Sequence, residues 1–141
     1  MGVIMDAGSG ARVPGWEIIL ADRIAAARHA PFVWGAHDCA TWAADMRAAL
    51  TGTASAADAW RGRYSTRIGA GRVMRRLGWD DMTSAATAIL GAPIGPYHAR
   101  RGDIVLHEGA LGICDGAGAL FVGAAGLVRV PLARCDLGWR V

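Results

Sequence analysis

The chain has 141 residues, the size of one domain, and a globule that long buries roughly 68% of the surface its unfolded chain exposes, so one core is expected rather than two. Hydrophobic residues make up 53% and mean hydropathy is +0.27. Even so, much of that is alanine and no apolar run approaches the roughly 18 residues that cross a bilayer, so no membrane insertion is expected. Net charge is +3 and every one of the 15 basic residues is arginine, a usage that points to GC-rich coding more than to a binding requirement. Three cysteines, Cys39, Cys114 and Cys135, are an odd number without a C-x-x-C pair, so neither a disulfide framework nor a structural zinc site is expected, and no cofactor. Residues 1–11 lack a basic stretch followed by an apolar one, so no secretory leader is expected and synthesis belongs to the cytoplasm.

In chain order, residues 14–29 place Trp16, Ile19, Leu20, Arg23, Ile24 and Ala27 at three- and four-residue spacings, an amphipathic helix with Pro14 in its first turn and Pro31 beyond its end. Residues 32–38 form a short extended or looped lead into a second helix over residues 39–50, with Asp38 as N-cap and Gly52 as stop. Cys39, Trp42, Ala43, Met46, Ala49 and Leu50 share one face of it, so Cys39 opens a buried stripe. Residues 54–92 stay helical between glycines, with helices near 68–77 and 81–90, and read as an insertion or subdomain packed on the central helix. After the turn-rich stretch Gly91 to Pro96, the segments 103–107, 111–115, 119–122 and 127–130 are short, apolar and separated by glycine, as in a meandering antiparallel sheet. Helices first and strands afterwards make an α+β architecture.

The stretch Phe32-Val33-Trp34-Gly35-Ala36-His37-Asp38-Cys39 resembles the Tyr/Trp-Gly-x-x-Asp-Cys signature that opens the catalytic helix of NlpC-type cell-wall peptidases. Arg101-Gly102-Asp103-Ile104-Val105-Leu106 resembles their Pro-Gly-Asp-Leu-Val-Phe strand, and Leu111-Gly112-Ile113 their Val-Gly-Ile strand. The likeness frames residues 32–113, with none of its own between the motifs. It implies a papain-like domain with the cysteine on a central helix packed on a C-terminal antiparallel sheet. The chain is also similar to small NlpC-like proteins coded among phage and prophage tail genes, which share the Trp-Gly-x-His-Asp-Cys motif and an ending like residues 132–141.

A thiol at a helix start meets free backbone N–H groups and the positive end of the helix dipole, both of which favour thiolate. An unassisted thiol is only a few per cent ionised at neutral pH, and a paired histidine ordinarily supplies the rest. In the family that histidine immediately precedes the Val-Gly-Ile strand, where this chain has Ala110, and the orienting polar residue of the next strand falls at Phe121 or Val122. General-base help contributes about a hundred- to ten-thousand-fold, so its loss leaves a weak nucleophile. His107 and His37 are the candidate substitutes, beside Cys39 as nucleophile; Trp34 and Asp38 are candidate substrate-binding residues. The plain alternatives are a small buried Cys39, an ordinary loop His107 and a His37 bonded to backbone. Cys114 and Cys135 read as structural thiols, the tryptophans as mostly core, and His29 and His98 carry no assignment.

Two functions follow from the resemblance. One is a structural component of a phage tail or tail-like particle, at the tail tip, with weak or lost peptidase activity; other tail proteins are then the partners and the virion the location. The alternative is an active cysteine peptidase or amidase that cuts peptidoglycan during DNA delivery. Arg61, Arg63, Arg67, Arg72, Arg75 and Arg76 form the densest basic stretch, which could meet phosphate or an acidic partner. A solvated helix face is the plainer reading, and nucleic acid is not expected.

Overall fold

The computed structural model describes residues 11–141, so the stretch read for a leader lies outside the described residues apart from Ala11. Helix α1 spans Trp16–Ala27 and starts after Gly15, whose φ of 78° is left-handed and offers no side-chain cap. Pro14 therefore precedes the helix instead of sitting in its first turn. Leu20 and Ala27 are buried, with Trp16, Ile19 and Ile24 packed against the same core.

Helix α2, Cys39–Thr51, begins and ends where its caps predict: the Asp38 side chain accepts from the Thr41 N–H, and Gly52 closes the helix at φ 68°. Its two faces pack against different partners. Trp42, Ala43, Met46 and Leu50 lie in the main core with the sheet, while Ala40 and Ala44 meet Trp60, Tyr64, Val73 and Met74 on the other side. Burying each large apolar side chain stabilises the fold by about 1.5–3 kcal/mol, so these two contact sets fix α2 at the centre. Residues 54–92 supply that second layer, with α3 at Arg67–Arg76 and α4 at Met82–Leu90. Thr66 caps α3 through the Gly69 N–H, and Asp81 and Ser84 cap α4 reciprocally.

The second half is one antiparallel sheet of β1 Ile104–His107, β2 Ala110–Cys114, β3 Gly118–Gly123, β4 Gly126–Pro131 and β5 Leu137–Trp139, in the order β4-β3-β2-β1-β5. The chain is thus α+β, helices first. β5 is the element without a sequence signal: three residues with a central glycine show no alternation to read. It pairs along the free edge of β1, with Val105 opposite Gly138. A two-residue turn of Glu108 (φ 49°) and Gly109 (φ 78°) joins β1 to β2, the double left-handed geometry of a tight hairpin.

Period-two alternation gives the sheet two unlike faces. Ile104, Leu106, Leu111 and Ile113 face α2. Val105, Cys114, Ala119 and Phe121 face away from it and pack with Leu132 and Cys135.

Asp103, just before β1, is 3% exposed, and its Oδ1 accepts from Arg12 Nη2 at 2.8 Å and from the Val141 N–H at 3.0 Å. Arg12 also donates to the carbonyls of Val141 and Arg101 and stacks over the Trp16 ring. Among the described residues, no helix is long and apolar enough to cross a membrane.

Candidate functional site

Cys39 is the first residue of α2, and its half-buried side chain packs against the cluster that holds Ala40, Ala44, Trp60 and Met74. Loss of solvent pushes its thiol above the ordinary cysteine value, and the nearby Asp38 charge adds to that; the backbone N–H groups of Leu111, Ala40 and Cys39 itself pull the other way. Leu111 is free to face the sulfur because β2 pairs with β3 only at Ile113 and Cys114, leaving its first residues outside that ladder. Helix start and strand start converge on the sulfur, yet burial outweighs them and the thiol is pushed up.

The structure does not bring His107 to this thiol. His107 follows Leu106 on β1 and therefore points to the sheet face away from α2, where its ring lies 5.9 Å from that of Phe121. Its Nδ1–H donates to the Arg134 carbonyl at 2.8 Å, and Nε2 lies 3.3 Å from a Glu108 carboxylate oxygen. Ala110 stands opposite His107 in the ladder, on the same far face. His37 also turns away: with Arg23, Trp42 and Asp45 it lines a cleft of about 260 Å³ between α1 and α2. Its backbone pairs with Val33 across the loop, while its buried Nε2 has no partner among the described residues. His29 and His98 are both exposed, at the end of α1 and before β1.

The two residues considered for substrate binding part company. Asp38 is 2% exposed and its oxygens are occupied: Oδ2 accepts from the Gly35 N–H at 2.8 Å and the Tyr64 hydroxyl at 2.6 Å, and Oδ1 from the Thr41 N–H at 2.9 Å. It is a cap and a loop anchor, closed to any ligand. Trp34 remains accessible at 36% exposure, stacked edge-on with Phe32 at 4.7 Å and near Tyr64. Gly35 holds a left-handed φ of 77°, and a Cβ there would run into the Tyr64 carbonyl. Gly35 and Asp38 of the Trp-Gly-x-His-Asp-Cys stretch thus have local structural tasks.

Tyr64 is the site residue that the sequence gave no signal for. Burial and its bond to Asp38 push its phenol well above the ordinary tyrosine range, so it stays a donor to the Asp38 carboxylate. Cys114 and Cys135 sit buried in the far-face cluster. Among the described residues, no three His, Cys, Asp or Glu side chains gather as a metal site would need.

A family model covers residues 11–141, every residue of the fold described above. The chain belongs to the DUF6950 family, a domain of unknown function. No curated protein and no solved structure matches it. In this DUF6950 chain the candidate chemistry is therefore the geometry around Cys39: a half-buried thiol at a helix start, an accessible tryptophan five residues before it, and imidazoles directed elsewhere.

Proposed function

We propose that this chain is a structural and interaction part of a phage tail or tail-like particle, at the tail tip, built on a papain-like scaffold of NlpC type whose peptidase chemistry is weakened or lost. One observation supports the loss of chemistry: His107 is bonded to the Arg134 carbonyl on the sheet face away from Cys39, and burial pushes the Cys39 thiol above its ordinary value. The scaffold reading is supported by the cysteine at the start of a central helix that packs on an antiparallel sheet beginning with Asp103-Ile104-Val105. The particle, its location and its tail-protein partners rest on the sequence resemblance. The test is twofold. Purified virions of the phage that codes for the chain should contain it in the tail, and Cys39→Ala virions should keep wild-type infectivity; absence from the tail sinks this function.

A second reading, an active peptidoglycan peptidase or amidase, is favoured by the backbone N–H groups of Ala40 and Leu111 at the sulfur, where such donors stabilise an oxyanion. Its base would come from outside this chain. Release of soluble fragments from peptidoglycan, abolished by Cys39→Ala, would replace the first reading with this one.

A further inference from the structure

Residues 61–79 hold Arg61, Arg63, Arg67, Arg72, Arg75 and Arg76 and neither Asp nor Glu. Among the described residues, only Arg61 is engaged, with Asp45 and Asp58. The other five are exposed, and among the described residues none of them forms an ion pair. Four lie on α3, where successive residues are about 100° apart around the axis. Arg67, Arg75, Arg72 and Arg76 then sweep about half the circumference, opposite the buried Val73 and Met74. Ile68 falls in the middle of that sweep and is 70% exposed. An aliphatic centre ringed by unpaired guanidinium groups is the composition of a protein-binding patch, where arginine is enriched and apolar groups occupy the middle.

Helix stability does not account for this face. Arg75 and Arg76 suit the negative end of the α3 dipole, but Arg67 is the first residue of the helix, at its positive end, where a cation is disfavoured. Arg72 sits three and four residues before Arg75 and Arg76, and like charges at those spacings work against a helix. An acidic partner relieves both conflicts at once. α3 carries no aromatic side chain, so it offers nothing for a base to stack on.

We propose that this face of α3 docks an acidic protein surface, with Ile68 entering an apolar notch of the partner and Arg67, Arg72, Arg75 and Arg76 pairing with the carboxylates around it. The site is separate from Cys39 and stands whatever that thiol does.

The probe is a fluorescent peptide of repeating Glu-Glu-Leu, compared with polyglutamate of equal length, a DNA duplex and vesicles of phosphatidylglycerol. Binding is read by anisotropy on the full chain at about 50 mM salt, where charge attraction is weakly screened. The Glu-Glu-Leu peptide is expected to bind more tightly than the other three. Joint replacement of Arg72, Arg75 and Arg76 by Ala should weaken it about tenfold. Ile68→Ser should weaken it about threefold while leaving polyglutamate unchanged. All four positions are exposed and alanine is the best helix former, so the variants should keep the wild-type circular dichroism melt. Tighter binding of DNA or vesicles, the same affinity in the arginine variant, no response to Ile68→Ser, or no binding at all would each overturn the proposal.

Discussion

Cys39 shows how one side chain is decided by competing neighbours. Helix start, strand N–H and dipole all favour thiolate, and burial with the Asp38 charge overrides them. Its alkylation by iodoacetamide is therefore expected to be slow at pH 7, and to keep rising beyond the ordinary thiol value without a plateau between about pH 6 and 8. A plateau below neutrality would mean that an imidazole or cation reaches the sulfur. Asp38 is the opposite case, a carboxylate whose task is wholly structural. Its loss removes a cap and two further charge-assisted bonds, so Asp38→Ala should lower stability by about 3 kcal/mol in urea unfolding. A change below about 1 kcal/mol would show that the Gly35, Thr41 and Tyr64 groups find other partners.

These two residues also mark the limit of what could be read in advance. Asp38 as N-cap follows from its place before an apolar stripe, and the structure shows that cap. Its burial under Tyr64, 26 residues later, is a tertiary contact with no local periodicity to announce it. The same holds for the histidines. His37 stands two residues before Cys39 and His107 three before the position at which the resemblance expects a base, but the loop bridge sends the first ring toward α1 and strand alternation sends the second to the far face.

Among the elements, the four helices were legible from their apolar spacing and from Asp38 and the glycines that break the pattern, while the Thr66 and Asp81 caps emerge only in the structure. The start of α2 stands where it was read, and the other three starts moved by one or two residues, most at α1, where Gly15 rather than Pro14 sets the first turn. Four strands were legible from apolar runs between glycines, while β5 was not, since its pairing is imposed by the free edge of β1. The β1–β2 turn carries a local conflict. Glu108 adopts a left-handed φ, which favours asparagine or glycine over a long side chain. Its carboxylate is mostly exposed and, among the described residues, makes only the contact with His107. Glu108→Asn should therefore raise stability by about 0.5 kcal/mol, seen as a higher melting temperature; a drop would assign real weight to that contact.

At the scale of the whole molecule, titration shapes the stability curve from both sides. The Cys39, Cys114, Cys135 and Tyr64 groups are all pushed up on folding. The folded chain then holds protons that the unfolded chain has already released, so stability present below the ordinary thiol value is lost as pH climbs through it. Asp45 and Asp115 behave in the reverse sense. Burial works against the Asp45 charge but is outweighed by bonds from Arg61 and Ser55, and Arg129 holds Asp115 low. Both contributions are present above the ordinary carboxylate value and fade as pH falls below it. Melting temperature against pH should thus show a plateau around neutrality with a decline on each flank, and a steady rise above pH 9 would contradict the thiol assignments.

The Arg12, Asp103 and Val141 cluster acts at the same scale. Leaving Asp103 without its guanidinium, as in Arg12→Met, strands a buried charge that keeps only backbone donors. The cost should be about 2–3 kcal/mol. Amide exchange should accelerate together at Val13 and Val141, which lie far apart in sequence; acceleration at one end alone would show that the two are not joined through Asp103.

Because Arg12 donates directly to the Val141 carbonyl at 3.0 Å, the stretch from residue 12 to residue 141 traces a nearly closed circuit. A short glycine linker from residue 141 to residue 11 would turn it into a ring, and the exposed β3–β4 turn at Ala124 and Ala125 offers a place to cut that ring anew. Such a rearranged order of the same segments should reach the same sheet and helices. A longer host chain could also leave and rejoin at this single point, carrying the domain as a bead on one of its loops.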